Sequence, residues 1–166
     1  LKLKPQMPLG QLPVLEFNGE KLPQSISIAR YVARQFSLAG KDELESAKCD
    51  VVADTIQEIN DAYFRAWFAI KDEKQKELEQ EKFKVDTVPQ KLQGLEGLIK
   101  TYGNGTWAVG NNVTWADLLI YDSIENLLKL NEQVLDKYPV LQQNRQAVKQ
   151  LPNIAQYLAA RKETPF

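Results

Sequence analysis

The stretch MPLGQLPVLEFNGEKLPQSISIARY, residues 7–31, decides the fold of this chain. Residues 13–17 partly alternate apolar and polar side chains, which predicts a short strand. The following Asn18-Gly19 pair suits a type I′ turn, because both residues tolerate a positive φ. A second strand is therefore expected at 20–22, and the two strands form a hairpin.

A helix is expected directly after the hairpin, with Ser25 as its N-cap and its end near Phe36. Its apolar positions recur at helical spacing and predict the face that packs on the core; they are Ile28, Val32 and Phe36, widened by Ala29 and Ala33. The quoted stretch thus predicts a strand–turn–strand–helix unit.

From Glu43 onward the apolar residues repeat only at helical spacing. We expect a small α/β piece over 1–40 and an all-helical domain over 41–166, which makes the fold class α+β. The predicted helices cover about 43–70, then 71–102 with a kink at Pro89, then 114–130, 132–149 and 153–160. Pro139 and Pro152 are expected near the starts of the last two helices. The segment YGNGTW, 102–107, is expected to be a loop.

The segment VTWADL, 113–118, has the pattern of a helix capping box. Thr114 is placed to cap the helix, and Asp117 to reach back to the Thr114 amide. This motif favours a folding role, and it indicates no chemistry.

Composition excludes several classes of function. The net charge is −1, from 21 basic and 22 acidic residues, which argues against an electrostatic nucleic-acid binder. The chain has no histidine, so Ser-His-Asp and Cys-His catalysis and histidine metal sites are excluded. No apolar run is long enough to span a membrane, and a single cysteine, Cys49, fits a reducing, cytoplasmic compartment as an inert thiol.

Three features of the sequence are candidate sites on their residues alone. A helix that starts at Ser25 presents backbone amides that suit a carboxylate or phosphate, although a plain N-cap is favoured. Pro13 at a strand start is compatible with a cis peptide and an open strand edge, although a turn proline is favoured. Residues 54–61 carry an acidic stripe, whose members are Asp54, Gln57, Glu58 and Asp61. This pattern favours a solvated helix face, and the alternatives are a subunit contact or a weak divalent-cation site.

Aromatic residues cluster near the end of the first long predicted helix. Phe64, Trp67 and Phe68 are compatible with an apolar pocket, but core packing is favoured for them.

Taken together, the sequence resembles a cytosolic glutathione transferase of the sigma class, of the invertebrate type. The matching segments cover essentially the whole chain; they are MPLGQLPVLEFNG, LPQSISIARYVARQF, LAGKDE, VGNNVTWADLL, KYPVLQQNRQAVKQLPNIAQYL and RKETPF. The resemblance implies a thioredoxin-like N-terminal domain, here without its first βαβ unit, followed by an all-helical domain. The catalytic tyrosine of the family is then expected ahead of Leu1, and no catalytic residue is assigned within the chain.

The resemblance also implies a glutathione site. The family pattern Pro-Phe-Gly-Gln-Leu/Val/Met-Pro matches PLGQLP, 8–13, with Leu9 in place of the aromatic residue. By this match Gln11 and the Leu12 backbone contact the peptide, and Pro13 is a cis-proline. Gln24 and Ser25 bind the γ-glutamyl end, and Lys4 contacts the glycine carboxylate.

Two further contacts follow from the resemblance. In a homodimer, the partner subunit contributes a contact near the glutamyl amine, here from Gln57 or Glu58, where the family usually has acidic residues. A pocket for a hydrophobic electrophile is expected to include Tyr63, Trp67 and Phe166. No cofactor is implied besides glutathione as co-substrate, and neither a nucleic acid nor a membrane is expected as a partner.

Three functions remain open at this point. The first is a detoxifying transferase that conjugates the glutathione thiolate to electrophiles. The second is a glutathione-dependent prostaglandin isomerase, which uses the same glutathione site with a different pocket. The third is a non-catalytic structural or binding relative, in case the N-terminal tyrosine is absent.

Overall fold

The computed structural model describes residues 3–162, and within them two strands and seven helices. A short 3₁₀ turn precedes an antiparallel hairpin, and every later element is helical. The elements are the turn Lys4–Gln6, β1 (Val14–Phe17), β2 (Glu20–Pro23), α1 (Ser25–Gln35), α2 (Glu43–Phe64), α3 (Glu73–Lys82), α4 (Val88–Tyr102), α5 (Trp115–Leu130), α6 (Pro139–Gln150) and α7 (Pro152–Ala160).

The predicted hairpin is confirmed. Val14 pairs with Pro23 and Phe17 with Glu20, so only two residues form the turn. Both have positive φ, 51° at Asn18 and 83° at Gly19, as the Asn-Gly pair predicts.

The predicted core face of helix α1 is confirmed in part. Ala33 is buried and Ala29 packs against the core, as predicted, and Ile26 joins them. Val32 and Phe36, by contrast, are 38% and 72% exposed, so the prediction is wrong for these two. The core covers the side of α1 that carries Ile26, Ala29 and Ala33.

The predicted long helix and its successor are present, each with a π-helical turn. Helix α2 continues through a π turn at Arg65–Ala69. The predicted kink near Pro89 takes the form of a π turn at Phe83–Thr87, between α3 and α4. A proline ring clashes with the carbonyl four residues earlier, here that of Val85, so the regular hydrogen bonding fails within this turn.

Helix α5 begins with the predicted capping box of Thr114 and Asp117. Asp117 is fully buried and accepts four hydrogen bonds: from the Thr114 amide and hydroxyl (2.7 and 2.9 Å), the Ala108 amide (2.7 Å) and Asn144 Nδ2 (2.6 Å). Burial raises the pKa of Asp117, against the effect of these bonds. Through these hydrogen bonds Asp117 also joins the start of α5 to the preceding loop and to α6.

Helices α6 and α7 begin at Pro139 and Pro152, the two prolines that the sequence predicts near their starts. A proline suits a first helical position because it needs no hydrogen-bond acceptor for its nitrogen. The predicted start of α6 near residue 132 is wrong, because residues 132–137 form turns.

The core lies among the helices of residues 43–151. Its fully buried large side chains include Ile56, Phe83, Leu92, Ile99, Ile120 and Leu141. None of the helices between residues 3 and 162 is long and apolar enough to cross a membrane.

Candidate glutathione site and aromatic pocket

The N-terminus of α1 carries two of the predicted site residues. Ser25 is the first residue of the helix, and Gln24 is its N-cap, so the prediction that Ser25 is the N-cap is wrong by one position. The reason is that the first helical hydrogen bond runs from the Ile28 amide to the Gln24 carbonyl, at 2.9 Å. Within the described residues no side chain caps this helix, which leaves its N-terminal amides facing outward.

Gln24 adopts a left-handed backbone, with φ 77° and ψ 112°. A positive φ is uncommon for a residue other than glycine, and such residues cluster at binding sites. The side chains of Gln24 and Ser25 are both exposed.

The open end of the hairpin lies beside this helix start. Val14 and Pro23 form the last pair of the hairpin, so Pro13 and Gln24 flank this open end, one on each strand. The Leu12–Pro13 peptide is cis, as the resemblance implies. Gln11 and Leu12 are exposed directly before it. The structure thus brings Gln11, Leu12, Pro13, Gln24 and Ser25 to one end of the hairpin.

Lys4 approaches this region through two tight turns. The Met7 amide donates to the Lys4 carbonyl at 3.1 Å, and the Gly10 amide donates to the Met7 carbonyl at 3.0 Å. Gly10 has a φ of 62°, which closes the second turn. Lys4 is exposed and precedes Gln11 by only these turns.

The two residues predicted to contact a partner subunit have partners within the chain. Gln57 donates to Asp61 at 2.8 Å, and Glu58 forms an ion pair with Lys91 of α4. Among residues 3–162, no group of three or more His, Cys, Asp or Glu side chains is arranged to hold a metal ion.

An aromatic cluster forms where α2 ends. The rings of Tyr63 and Trp67 stack at 4.6 Å between centroids, and both side chains are half-buried. Phe64 and Phe68 are 61% and 53% exposed, so the expected core packing is wrong for these two and holds for Trp67. The third predicted pocket residue, Phe166, lies outside the described residues.

Sequence reasoning missed Phe83, which lies under this cluster. Its ring meets those of Tyr63 and Trp67 at 5.9 and 5.3 Å, nearly edge-on, and it is 2% exposed. The available signal was a single aromatic residue in the highly charged stretch 71–84.

Comparison with known proteins identifies the family. The family model described as the N-terminal domain of glutathione S-transferase matches residues 1–34, and the model of its C-terminal domain matches residues 57–161. The chain belongs to the glutathione S-transferase family. The α+β fold, with a thioredoxin-like N-terminal and a helical C-terminal domain, is thereby confirmed.

Relatives of this glutathione S-transferase have the same fold over nearly its full length. Glutathione S-transferase 1 of Ascaris suum is 38% identical over 99% of this chain and 80% of the relative. Hematopoietic prostaglandin D synthase of Mus musculus is 36% identical over 98% of this chain and 79% of the relative. A solved structure of the rat prostaglandin D synthase in complex with a quinoline superposes with a TM-score of 0.88 at 33% identity, covering 99% of this chain and 80% of that one.

Proposed function

We propose that this glutathione transferase conjugates the thiolate of glutathione to hydrophobic electrophiles. The observation that carries the proposal is the convergence of the uncapped α1 N-terminus with the open end of the hairpin. Glutathione is an extended peptide with two carboxylates. A helix N-terminus and Lys4 suit the carboxylates, and a strand edge suits the peptide.

We assign the binding residues as the resemblance does. Gln24 and Ser25 hold the γ-glutamyl end, Gln11 and the Leu12 backbone pair with the peptide next to Pro13, and Lys4 contacts the glycine carboxylate. The catalytic hydroxyl is not assigned to any residue of 1–166.

The aromatic cluster beside α2 is proposed as part of the electrophile pocket, with Tyr63 and Trp67 in its wall. In the reaction, the thiolate sulfur attacks an electrophilic carbon, the new carbon–sulfur bond takes the sulfur electron pair, and a leaving group such as chloride departs with its own pair. A free thiol has a pKa near ~8.5, so stabilising the thiolate is what increases the rate at neutral pH.

A second candidate is a glutathione-dependent prostaglandin isomerase. The similarity to the prostaglandin D synthase of Mus musculus favours it, because that relative is nearly as similar as the Ascaris transferase. The two activities share the glutathione site. Product analysis with a prostaglandin endoperoxide, beside a conjugation assay with 1-chloro-2,4-dinitrobenzene, separates them.

We also propose that the protein is a sigma-class transferase of the invertebrate type, with a cytoplasmic location and a detoxifying role. We place the boundary between its two domains between residues 40 and 41, and we propose that it forms a homodimer. In the dimer Gln57 and Glu58 would face the partner's glutathione. Sedimentation at micromolar concentration tests the dimer, and a monomeric profile would contradict it.

The glutathione site is tested by titration calorimetry with glutathione on the protein expressed from its complete reading frame. Losing one hydrogen bond to a charged ligand group should raise Kd about tenfold in Gln24→Ala and Ser25→Ala. Gln35→Ala, at the far end of the same helix, is the matched control and should bind normally. A wild-type protein that binds no glutathione would favour the non-catalytic alternative instead.

A further inference from the structure

An ion pair between described residues joins helix α1 to the helical domain. Arg30 Nε donates to Asp50 Oδ1 of α2 at 2.7 Å, with both side chains mostly shielded from solvent. The Arg30 guanidinium also lies 5.6 Å from the ring centroid of Trp115, the buried first residue of α5. Arg30 therefore contacts both α2 and α5.

The other contacts in this region involve the chain after α1. The Trp115 amide donates to the Leu38 carbonyl at 2.9 Å, and the Ser46 hydroxyl donates to the Ala39 carbonyl at 2.6 Å. Within residues 3–162, the Arg30–Asp50 contact is the only ion pair that joins the residues up to 40 to those beyond 40. Among the polar side-chain contacts between residues up to 40 and those beyond 40, it lies nearest to the α1 N-terminus.

We propose that Arg30 and Asp50 are positioning residues that set the distance between bound glutathione and the electrophile pocket. This inference rests on the proposed function. The glutathione residues assigned within one subunit lie at position 25 or earlier, whereas Tyr63 and Trp67 lie at the far end of α2. The thiolate and its target are therefore held by different parts of the chain, and the relative placement of these parts governs the attack.

The position of the pocket relative to the thiolate is sensitive to the angle between α1 and α2, because both sites lie away from the contact. At 1.5 Å rise per residue, Ser25 lies about 7 Å along α1 from Arg30, and Tyr63 lies about 20 Å along α2 from Asp50. A change of about 3° in the angle between the two helices then moves the pocket by about 1 Å relative to the thiolate. A misplacement of that size can reduce a reaction rate by up to about 100-fold.

The chain offers two matched controls. Arg34 lies one turn after Arg30 on α1, and Glu43 is the first residue of α2, ahead of Asp50. Both are exposed, and neither takes part in the contact described above. Arg34→Gln and Glu43→Gln therefore each remove one charge of the same sign from the same helix and leave the Arg30–Asp50 contact intact.

The test measures glutathione Kd by calorimetry, and kcat and KM for 1-chloro-2,4-dinitrobenzene, on the protein expressed from its complete reading frame. For Arg30→Gln, Asp50→Asn and the double variant we expect kcat/KM for the electrophile to fall about tenfold. The double variant should lose no more than Arg30→Gln, because Asp50→Asn acts only through its contact with Arg30. Glutathione Kd should stay within about threefold, and both controls should match the wild type.

If Arg30→Gln or Asp50→Asn folds poorly, conservative variants still test the proposal. Asp50→Glu retains the carboxylate and should recover most of the activity. Arg30→Lys retains the charge but not the planar group over Trp115, so it should recover only part. A role limited to stability would lower the melting temperature and leave kcat/KM at 25 °C unchanged.

Unchanged kcat/KM in the variants would overturn the inference while leaving the proposed function intact. Equal losses in glutathione affinity and in electrophile turnover would overturn it too, as would additive losses in the double variant. A wild-type protein without glutathione binding would overturn the proposed function itself, and the inference with it.

Discussion

Replacing Asp117 by asparagine should reduce the free energy of unfolding by about 2–3 kcal/mol. The two carboxylate oxygens accept four hydrogen bonds, and the whole side chain is buried. Asparagine keeps the shape but has one oxygen. In the best orientation of the new asparagine, its side-chain oxygen accepts from the Ala108 amide and from Asn144, and its NH₂ group faces Thr114. The Thr114 hydroxyl can then accept instead of donate, but the buried Thr114 amide loses its acceptor, and the helix loses part of its cap.

Urea unfolding followed by tryptophan fluorescence measures this loss. With a slope near ~2 kcal/mol/M, the midpoint should fall by about 1–1.5 M. Asp117→Ala leaves the Ala108 and Thr114 amides and one proton of the Asn144 amide without an acceptor, so it should lose about 3–6 kcal/mol. Asp122→Asn, an exposed change on the same helix, should stay within about 0.5 kcal/mol of the wild type. If Asp117→Asn also stays within that margin, the network does not stabilise the fold as reasoned here.

Three further predictions concern groups outside the glutathione site. Burial raises the pKa of the Cys49 thiol to about 11, so at pH 8 the native protein should react with an aromatic disulfide about 100-fold more slowly than the urea-unfolded protein; equal rates would contradict its burial. Hydrogen bonds from the Lys41 amide and ammonium hold the pKa of Glu45 below its usual range, so its contribution to stability is present above the ordinary carboxyl pKa and is lost as pH falls through the lowered one. The difference in urea midpoint between the wild type and Glu45→Gln should therefore shrink between pH 7 and pH 3, and a growing difference would contradict the sign. Gly40 has a φ of 90°, and an added Cβ would lie 2.6 Å from the Glu45 Cβ, so Gly40→Ala should lower the free energy of unfolding by about 2–3 kcal/mol. Gly94 lies in open space on α4, so Gly94→Ala should raise the free energy of unfolding by about 0.5–1 kcal/mol. Urea unfolding that ranks the two variants in the opposite order would refute this comparison.

Sequence reasoning succeeded where a structure depends on neighbouring residues. The Asn18-Gly19 turn needs only two residues that accept a positive φ, so the hairpin followed from the sequence. The capping box of Thr114 and Asp117 spans four residues and was equally readable. The resemblance correctly indicated the cis peptide before Pro13.

The failures have a common physical cause. Within the predicted core face of α1, Val32 and Phe36 are exposed, because periodicity shows which residues are apolar, not which neighbouring element covers them. Phe83 was missed because its two ring partners lie 16 and 20 residues earlier, across the connection from α2 to α3. The helix expected from 132 began at Pro139, because the chain turns there before α6 packs on α4 and α5.

The sequence by itself therefore determined the order of the elements, the turn, the cap, and the match to the glutathione-binding motif. Each of these depends on side chains within a few residues of one another. The tertiary structure alone decided that Asn144 and Ala108 join the Asp117 network, and that Arg30 meets Asp50 and Trp115. These contacts join residues between 9 and 85 positions apart. Their energy depends on burial and donor geometry, which exist only once distant helices have packed.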